Sequence, residues 1–499
     1  MVVRVLFVLV VLAALYGCGQ ASTPPEHPEK KGTHEAAGQP GKRPTGTAPN
    51  QDGASREGSP DQESRSTGAA STVPEKRGRP NIILILTDDL DYRPGSISRM
   101  PNLQRYLVDH GTSFDNAFVT DALCCPSRAT ILRGQYPHNH RVLTNKPPLG
   151  GEERFTELGL EDSTVATWLR SEGYSTMMLG KYLNGFVPPV PPGWELWYGR
   201  GSVPQGTYET NYFSSTAAYF IRTASTERKP FFMWLGTSAP HRNVDPPPRY
   251  AEAFPSIQAP RPPSFNEVDV SDKPRWLRHK PPLSESEIAG IDEQYRIRLQ
   301  TMVAVDDLIG RLVEALRKSG ELDDTYIFFT SDNGFVMGEH RRPQGKWSAY
   351  EEAMRVPLIV RGPGVPEGET VHEMVLNNDL APTFAALGGA SVPSFVDGRS
   401  LVPLLGSSSP LPSGWRTAFL EEGLASKTGR PAFKAIRTTD HLWVEYADGE
   451  RELYDLEDDP YELESKDGTA PEDLKRDLAG RLDELRDCSK EGCREAEGF

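Results

Sequence analysis

The stretch Leu123-Cys124-Cys125-Pro126-Ser127-Arg128-Ala129-Thr130-Ile131-Leu132-Arg133-Gly134 carries the most specific chemistry in the chain. Pro126 suits a first helical turn and Gly134 suits a helix end, so Cys124 falls at or just before a helix N-terminus. The partial positive charge there favours an anion. Two further stretches, Asp88-Asp89 and Asp332-Asn333, offer the hard oxygen atoms that a calcium or magnesium ion takes. Taken singly, Asp88-Asp89 reads as a loop or helix cap, and Asp332-Asn333-Gly334 as a turn. Lys181, His241 and Lys346 could bring positive charge and a titratable ring to an anionic substrate. A lone lysine or histidine is more often a solvated surface group or a satisfied core one.

The elements around these residues decide between the two readings. Residues 81–86 form a continuous apolar run, the pattern of a strand buried on both faces, which stops at Thr87-Asp88-Asp89. Val165, Trp168 and Leu169 share a helical face, Gly173 stops it, and the next apolar run, 174–179, ends at Gly180-Lys181. A third run, 231–235, leads into Thr237-Ser238-Ala239-Pro240-His241. Met302, Val305, Ile309, Leu312 and Leu316 mark a helix seam ending near Gly320, before a strand at 326–329 and the loop Ser331-Asp332-Asn333-Gly334. Residues 356–360 are a further strand.

Strands alternating with helices predict an α/β sheet with crossover connections, and the polar residues follow the carboxyl ends of its strands. Open α/β sheets gather ligands at that edge, so the joint position of the acidic stretches favours ligands over caps. From about 408 onward the pattern changes to short strands at 434–438, 442–446 and 452–456, then a helix over 471–487. That combination predicts a small antiparallel sheet with a closing helix.

Cys124, Pro126, Ser127, Arg128, Ala129 and Gly134 match the sulfatase motif Cys-x-Pro-Ser-Arg-Ala with a glycine five residues beyond the alanine. The chain resembles that family over nearly all of residues 80–499. The resemblance implies an alkaline-phosphatase-like fold: a mixed sheet flanked by helices, with a catalytic domain over 80–407 and a smaller antiparallel-sheet subdomain over 408–499. It also implies that a formylglycine-generating enzyme oxidises Cys124, whose hydrated aldehyde is the nucleophile. Asp88, Asp89, Asp332, Asn333 and residue 124 would bind Ca2+, or sometimes Mg2+. Arg128, Lys181, His241, and Lys346 of Lys346-x-x-x-Tyr350-Glu351, each match a functional position.

In the implied mechanism one hydroxyl at residue 124, stabilised by the metal and Arg128, attacks sulfur and forms a sulfated enzyme. His241 protonates the departing alcohol, Lys181 and Lys346 stabilise the sulfate oxygens, and the second hydroxyl then expels sulfate. One departure matters: many sulfatases read Gly-Lys-x-His, whereas this chain reads Gly180-Lys181-Tyr182-Leu183-Asn184. His138 and His140 are candidates for the missing histidine, with a structural role open for either.

Within the family the resemblance is nearest to N-acetylglucosamine-6-sulfatases, and more loosely to heparan 6-O-endosulfatases. It rests on Tyr136-Pro137-His138-Asn139-His140, Gly180 to Asn184, Thr237 to His241 and the Cys488, Cys493 pair. A sulfated carbohydrate is the implied substrate. The alternatives are an arylsulfatase, a phosphonate monoester or phosphodiester hydrolase using the same nucleophile, and an inactive surface glycan-binding lipoprotein.

The two ends and the composition set the context. Residues 1–17 have the charged and apolar regions of an export signal, and Leu15-Tyr16-Gly17-Cys18 resembles a bacterial lipobox that would lipidate Cys18. Residues 18–79 have almost no large apolar side chain and read as a disordered tether to the membrane. Among five cysteines, Cys488 and Cys493 fit a local disulfide in an exported protein. The net charge of -15 argues against a general nucleic-acid binder and requires a locally positive pocket for any anionic substrate.

Overall fold

Alternate side chains leave a strand on opposite faces, so an apolar strand without alternation needs a packed layer on each side. β1 (Asn81–Thr87) is buried along its whole length in this way. Ile82, Leu84 and Leu86 enter one core, and Ile83 and Ile85 enter another. The computed structural model describes residues 78–185, 189–406, 414–427 and 429–498. The export signal, the lipobox and all but the last two residues of the tether therefore lie outside the described residues.

Among the described residues, nine further strands precede the C-terminal sheet. They are β2 (Thr112–Phe114), β3 (Ala117–Phe118), β4 (Ser175–Gly180), β5 (Leu196–Gly199), β6 (Phe231–Gly236), β7 (Thr325–Ser331), β8 (Leu358–Arg361), β9 (Glu369–Val371) and β10 (Val375–Leu376). One mixed sheet runs in the order β5-β4-β6-β1-β7-β8-β2-β9. Its pairings are parallel except where β8 runs antiparallel to β7 and β2. The strand expected at 356–360 starts two residues later, because the Val356 N–H is taken by the Ala117 carbonyl.

Helices cover both faces. α1 (Cys124–Arg133), α2 (Val165–Ser171) and, later in the chain, α5 (Leu380–Gly388) place Leu132, Leu169 and Phe384 against one side. α3 (Glu209–Glu227) and α4 (Glu285–Lys318) place Phe213, Ile221, Leu308 and Leu312 against the other. Each such side chain contributes about 1.5–3 kcal/mol on burial. α4 starts well before its apolar seam because Ser284 and Glu287 form a capping box, with Glu287 Oε2 accepting from the Ser284 N–H at 2.8 Å.

The C-terminal sheet is antiparallel in the order β11 (Ala418–Gly423), β12 (Phe433–Thr438), β13 (His441–Tyr446), β14 (Arg451–Asp455). α6 (Glu472–Arg486) lays Leu478, Leu482 and Leu485 on one face. Tyr350 and Leu277 pack on the other and join this sheet to the larger part of the chain. β11 has no counterpart in the sequence reading, because buried Glu421 and Glu422 break the apolar signal. A Cys488–Cys493 disulfide links the end of α6 to α7 (Glu491–Ala496).

Candidate active site

β1 and β7 are neighbouring parallel strands with Thr87 opposite Ser331, so the residues just beyond them emerge side by side. The Asp332 N–H donates to the Thr87 carbonyl at 3.1 Å, and the Asp89 N–H donates to Asp332 Oδ1 at 3.1 Å. Asp89 has φ 70°, a left-handed conformation that aspartate tolerates better than most residues. β4 ends at Gly180, where a Cβ would lie 2.0 Å from the Gly236 carbonyl oxygen. Only glycine permits that bend, which sends Lys181 into the same edge. Cys124 opens α1 after Leu123, whose extended backbone provides the N-cap, and Arg128 follows one turn later.

These elements bring together every expected site residue except the two candidate histidines, His138 and His140. Cys124 Sγ lies 3.4 Å from Asp88 Oδ1 and 3.9 Å from Asp89 Oδ1. Lys181 Nζ donates to Asp88 Oδ2 at 2.5 Å, and Arg128 Nε donates to Asp332 Oδ2 at 2.7 Å. Lys346 Nζ is 2.6 Å from Cys124 Sγ and 3.4 Å from Asn333 Oδ1, and it also contacts Asp89 Oδ1. His241 stands at the rim, with Nε2 3.8 Å from Asp89 Oδ2. Three buried carboxylates are thus interleaved with three cations.

That interleaving governs the ionisation states. Burial acts to raise the Asp88 and Asp89 carboxyls, but the surrounding cations together, Lys181 foremost at Asp88 and Lys346 at Asp89, hold both below the usual carboxylate value. Burial acts to lower both lysines, and the same carboxylates keep them above the usual ammonium value. Burial, then the Asp88 charge, pushes the Cys124 thiol up to about 12. An unmodified thiol here is therefore held neutral, unlike the thiolates of cysteine-dependent enzymes. Burial also lowers His241, against Asp88 and Asp89.

Asp88, Asp89, Asp332 and Cys124 present ligand atoms within 4.8 Å of one another. Lys346 Nζ draws on Asp89, Asn333 and Cys124 at once, so these atoms already aim their negative ends at a common point. The donor set fits a hard divalent cation.

His138 is the residue the structure does not bring in. Its Nδ1 is 3.0 Å from Glu422 Oε1 and its Nε2 is 2.9 Å from the Cys488 carbonyl, so its ring nitrogens serve β11 and the segment after α6. His140 is equally committed: Nε2 pairs with Thr130 Oγ1 at 3.0 Å, and Nδ1 accepts from the Val142 N–H at 3.1 Å. Leu183, at the position of the missing histidine, packs in the core.

Arg298 is a site residue that the sequence reading missed. Buried on α4, it donates to the Pro240 carbonyl at 2.9 Å and to the Asp89 carbonyl, and so ties the His241 loop to the acidic loop. Its signal was an arginine four residues before Met302 on the apolar seam. A cavity of about 720 Å³ opens beside Lys181, lined also by Glu152, Asn184, Trp197, Arg200 and Glu209.

A family profile described as Sulfatase matches residues 80–390, well over half of the chain. The chain belongs to the sulfatase family. A second profile, N-sulphoglucosamine sulphohydrolase, C-terminal, matches residues 338–488 of this sulfatase. Human N-acetylglucosamine-6-sulfatase is 34% identical over 478 residues, covering 83% of this chain and 86% of its own length. An arylsulfatase of Chlamydomonas reinhardtii is 32% identical over 491 residues, covering 83% and 75%. Among solved structures, one in complex with its substrate D-glucosamine-2-N,6-O-disulfate aligns with TM-score 0.69 and 27% identity, covering 84% of this chain and 99% of that one. This chain is accordingly a sulfuric ester hydrolase.

Proposed function

We propose that this sulfatase removes 6-O-sulfate from N-acetylglucosamine or glucosamine units of glycans, with residue 124 acting as formylglycine beside a bound calcium or magnesium ion. The observation that carries the reading is the convergence of Asp88, Asp89 and Asp332 on Cys124, with Lys181, Lys346 and Arg128 set between them. Human N-acetylglucosamine-6-sulfatase and the glucosamine disulfate complex support the substrate class.

Asp88, Asp89, Asp332 and Asn333 would hold the ion, which would neutralise charge on the sulfate and the nucleophile. Three carboxylates and three cations cancel, so a divalent ion leaves two positive charges. A singly charged sulfate ester and an ionised nucleophile would match them. Lys181 and Lys346 bind sulfate oxygens, Arg128 fixes Asp332, and His241 donates a proton to the departing sugar oxygen. Burial opposes protonation of His241, while a bound sulfate adds to the negative charge that favours it.

The discriminating experiment compares kcat/KM on 6-sulfated N-acetylglucosamine, other sulfated monosaccharides and an aryl sulfate. A tenfold preference for either of the latter, about 1.4 kcal/mol in the transition state, would overturn the sugar assignment. Peptide mass spectrometry across residue 124 tests the aldehyde: an unmodified thiol in fully active protein contradicts it. We also place the mature chain on a membrane through lipid on Cys18, a reading supported by the lipobox-like Leu15 to Cys18. Cys18→Ala should release it from membranes with its rate on a soluble ester unchanged. No helix among the described residues is long and apolar enough to cross a membrane.

A further inference from the structure

A second buried group of ligand atoms lies apart from Cys124. Among the described residues, His340 Nε2, Glu352 Oε2 and Glu462 Oε1 have no hydrogen-bond partner. Each of the three side chains offers a ligand atom within 4.8 Å of the others, with 3.8 Å between His340 Nε2 and Glu352 Oε2. His340 and Glu462 are 0% exposed and Glu352 is 4% exposed, so bulk water does not satisfy these atoms.

The other polar atom of each side chain is already fixed. His340 Nδ1 is 2.8 Å from Glu267 Oε2. Glu352 Oε1 accepts from Arg93 Nη2 at 2.9 Å and from Ser264 Oγ at 3.2 Å. Glu462 Oε2 accepts from the Glu351 N–H at 3.1 Å. An imidazole that donates Nδ1–H to a carboxylate presents a lone pair at Nε2, which is how metal-ligating histidines are held. His340 also stacks on Tyr350, with ring centroids 4.1 Å apart, so its orientation is set from a second direction.

We propose that His340, Glu352 and Glu462 form a second divalent-cation site, of the zinc class, that fastens the Lys346 loop to the C-terminal part of the chain. One imidazole with two carboxylates suits zinc, whereas calcium takes oxygen ligands. Zinc–ligand distances of about 2.0–2.2 Å place neighbouring ligand atoms roughly 3.3–3.6 Å apart, so the 3.8 Å pair needs only a slight approach.

His340 and Glu352 bracket Lys346, and Glu462 follows β14. The bracketed loop holds His340, Arg341 and Trp347 at φ 51°, 55° and 71°, left-handed conformations that persist only when surroundings enforce them. An ion joining both ends of this loop to Glu462 supplies such enforcement and fixes the base from which Lys346 reaches Cys124.

The test uses the full chain loaded with Zn2+ or Co2+, dialysed, and read by elemental mass spectrometry, the Co2+ visible spectrum and thermal melting. Wild type and Asp89→Asn, which disables the first site, should each retain one equivalent of zinc at the second site. His340→Gln and Glu462→Gln should bind it at least tenfold more weakly. The Co2+ spectrum of wild type should show nitrogen ligation that His340→Gln removes. Added Zn2+ should raise the melting midpoint of wild type and leave Glu462→Gln unmoved. Wild type that retains no zinc, or zinc lost in Asp89→Asn and kept in His340→Gln, overturns the proposal and leaves a shared proton or water in the cluster. The wild-type metal content and Co2+ spectrum decide the matter even if a substituted chain fails to fold.

Discussion

Replacing Arg298 by methionine tests whether one guanidinium positions two loops of the site. Its Nη1 donates to the Pro240 carbonyl at 2.9 Å and its Nη2 to the Asp89 carbonyl, one residue before His241 and within the acidic pair. A hydrogen bond from a charged donor is worth about 1.5–3 kcal/mol, so roughly 3–6 kcal/mol is at stake, with part recovered as the loops relax. Methionine retains the aliphatic stem but loses the cation set 4.5 Å over the Phe335 ring. If relaxation displaces Asp89 or His241 by about 1 Å, kcat/KM should fall roughly 10²-fold, near 2.7 kcal/mol. The assay is kcat/KM on an aryl sulfate with a calcium titration and a melting curve. A positioning role requires weaker binding of the divalent cation proposed for this site, with kcat partly restored by excess cation and by Arg298→Lys. A role in stability alone would move only the melting midpoint. Folded Arg298→Met with kcat/KM within about threefold of wild type would refute the reasoning.

Cys124→Ala should abolish sulfate-ester hydrolysis in a folded protein, while Cys125→Ala should be milder because only Cys124 contacts the acidic cluster; equal losses would reassign the nucleophile. Asp332→Asn should destabilise the fold by about 3–5 kcal/mol in denaturant titrations, since it leaves the fully buried Arg128 guanidinium without its counter-ion. The same variant should lose cation binding, and retention of a stoichiometric ion at the first site would place that ion elsewhere. Burial acts to lower the His138 pKa, but the hydrogen bond and charge of Glu422 together with the Cys488 carbonyl outweigh it, so the folded value is raised. Its stabilisation is present below the unfolded value of about 6.5 and is lost as pH rises through the folded value. The stability difference between wild type and His138→Gln should therefore shrink as pH rises above about 6.5, and a widening gap would contradict the pairing.

Much of the local structure was legible because it depends on neighbours in sequence. The run at 81–86, the helix opening at Cys124, the glycine after it and the strand ends at Asp88 and Asp332 all follow from periodicity and backbone preference. β11 was not legible, because Glu421 and Glu422 are tolerated in a buried strand only through its tertiary surroundings. The start of α4 was present as Ser284-x-x-Glu287 but lay outside the apolar seam.

Sequence alone thus determined which segments form the strands and helices of the site and which residue types stand at their ends, since both are properties of short stretches. Tertiary structure decided which ends meet. Pairing β1 with β7 brings Asp89 to Asn333 across 244 positions, and the loop carrying Lys346 closes on Cys124 across 222. It also decided that His138 serves Glu422 and Cys488, that Arg298 joins two loops, and that His340, Glu352 and Glu462 converge. The physical reason is that a buried charge persists only beside a partner, and no local pattern in the chain names that partner.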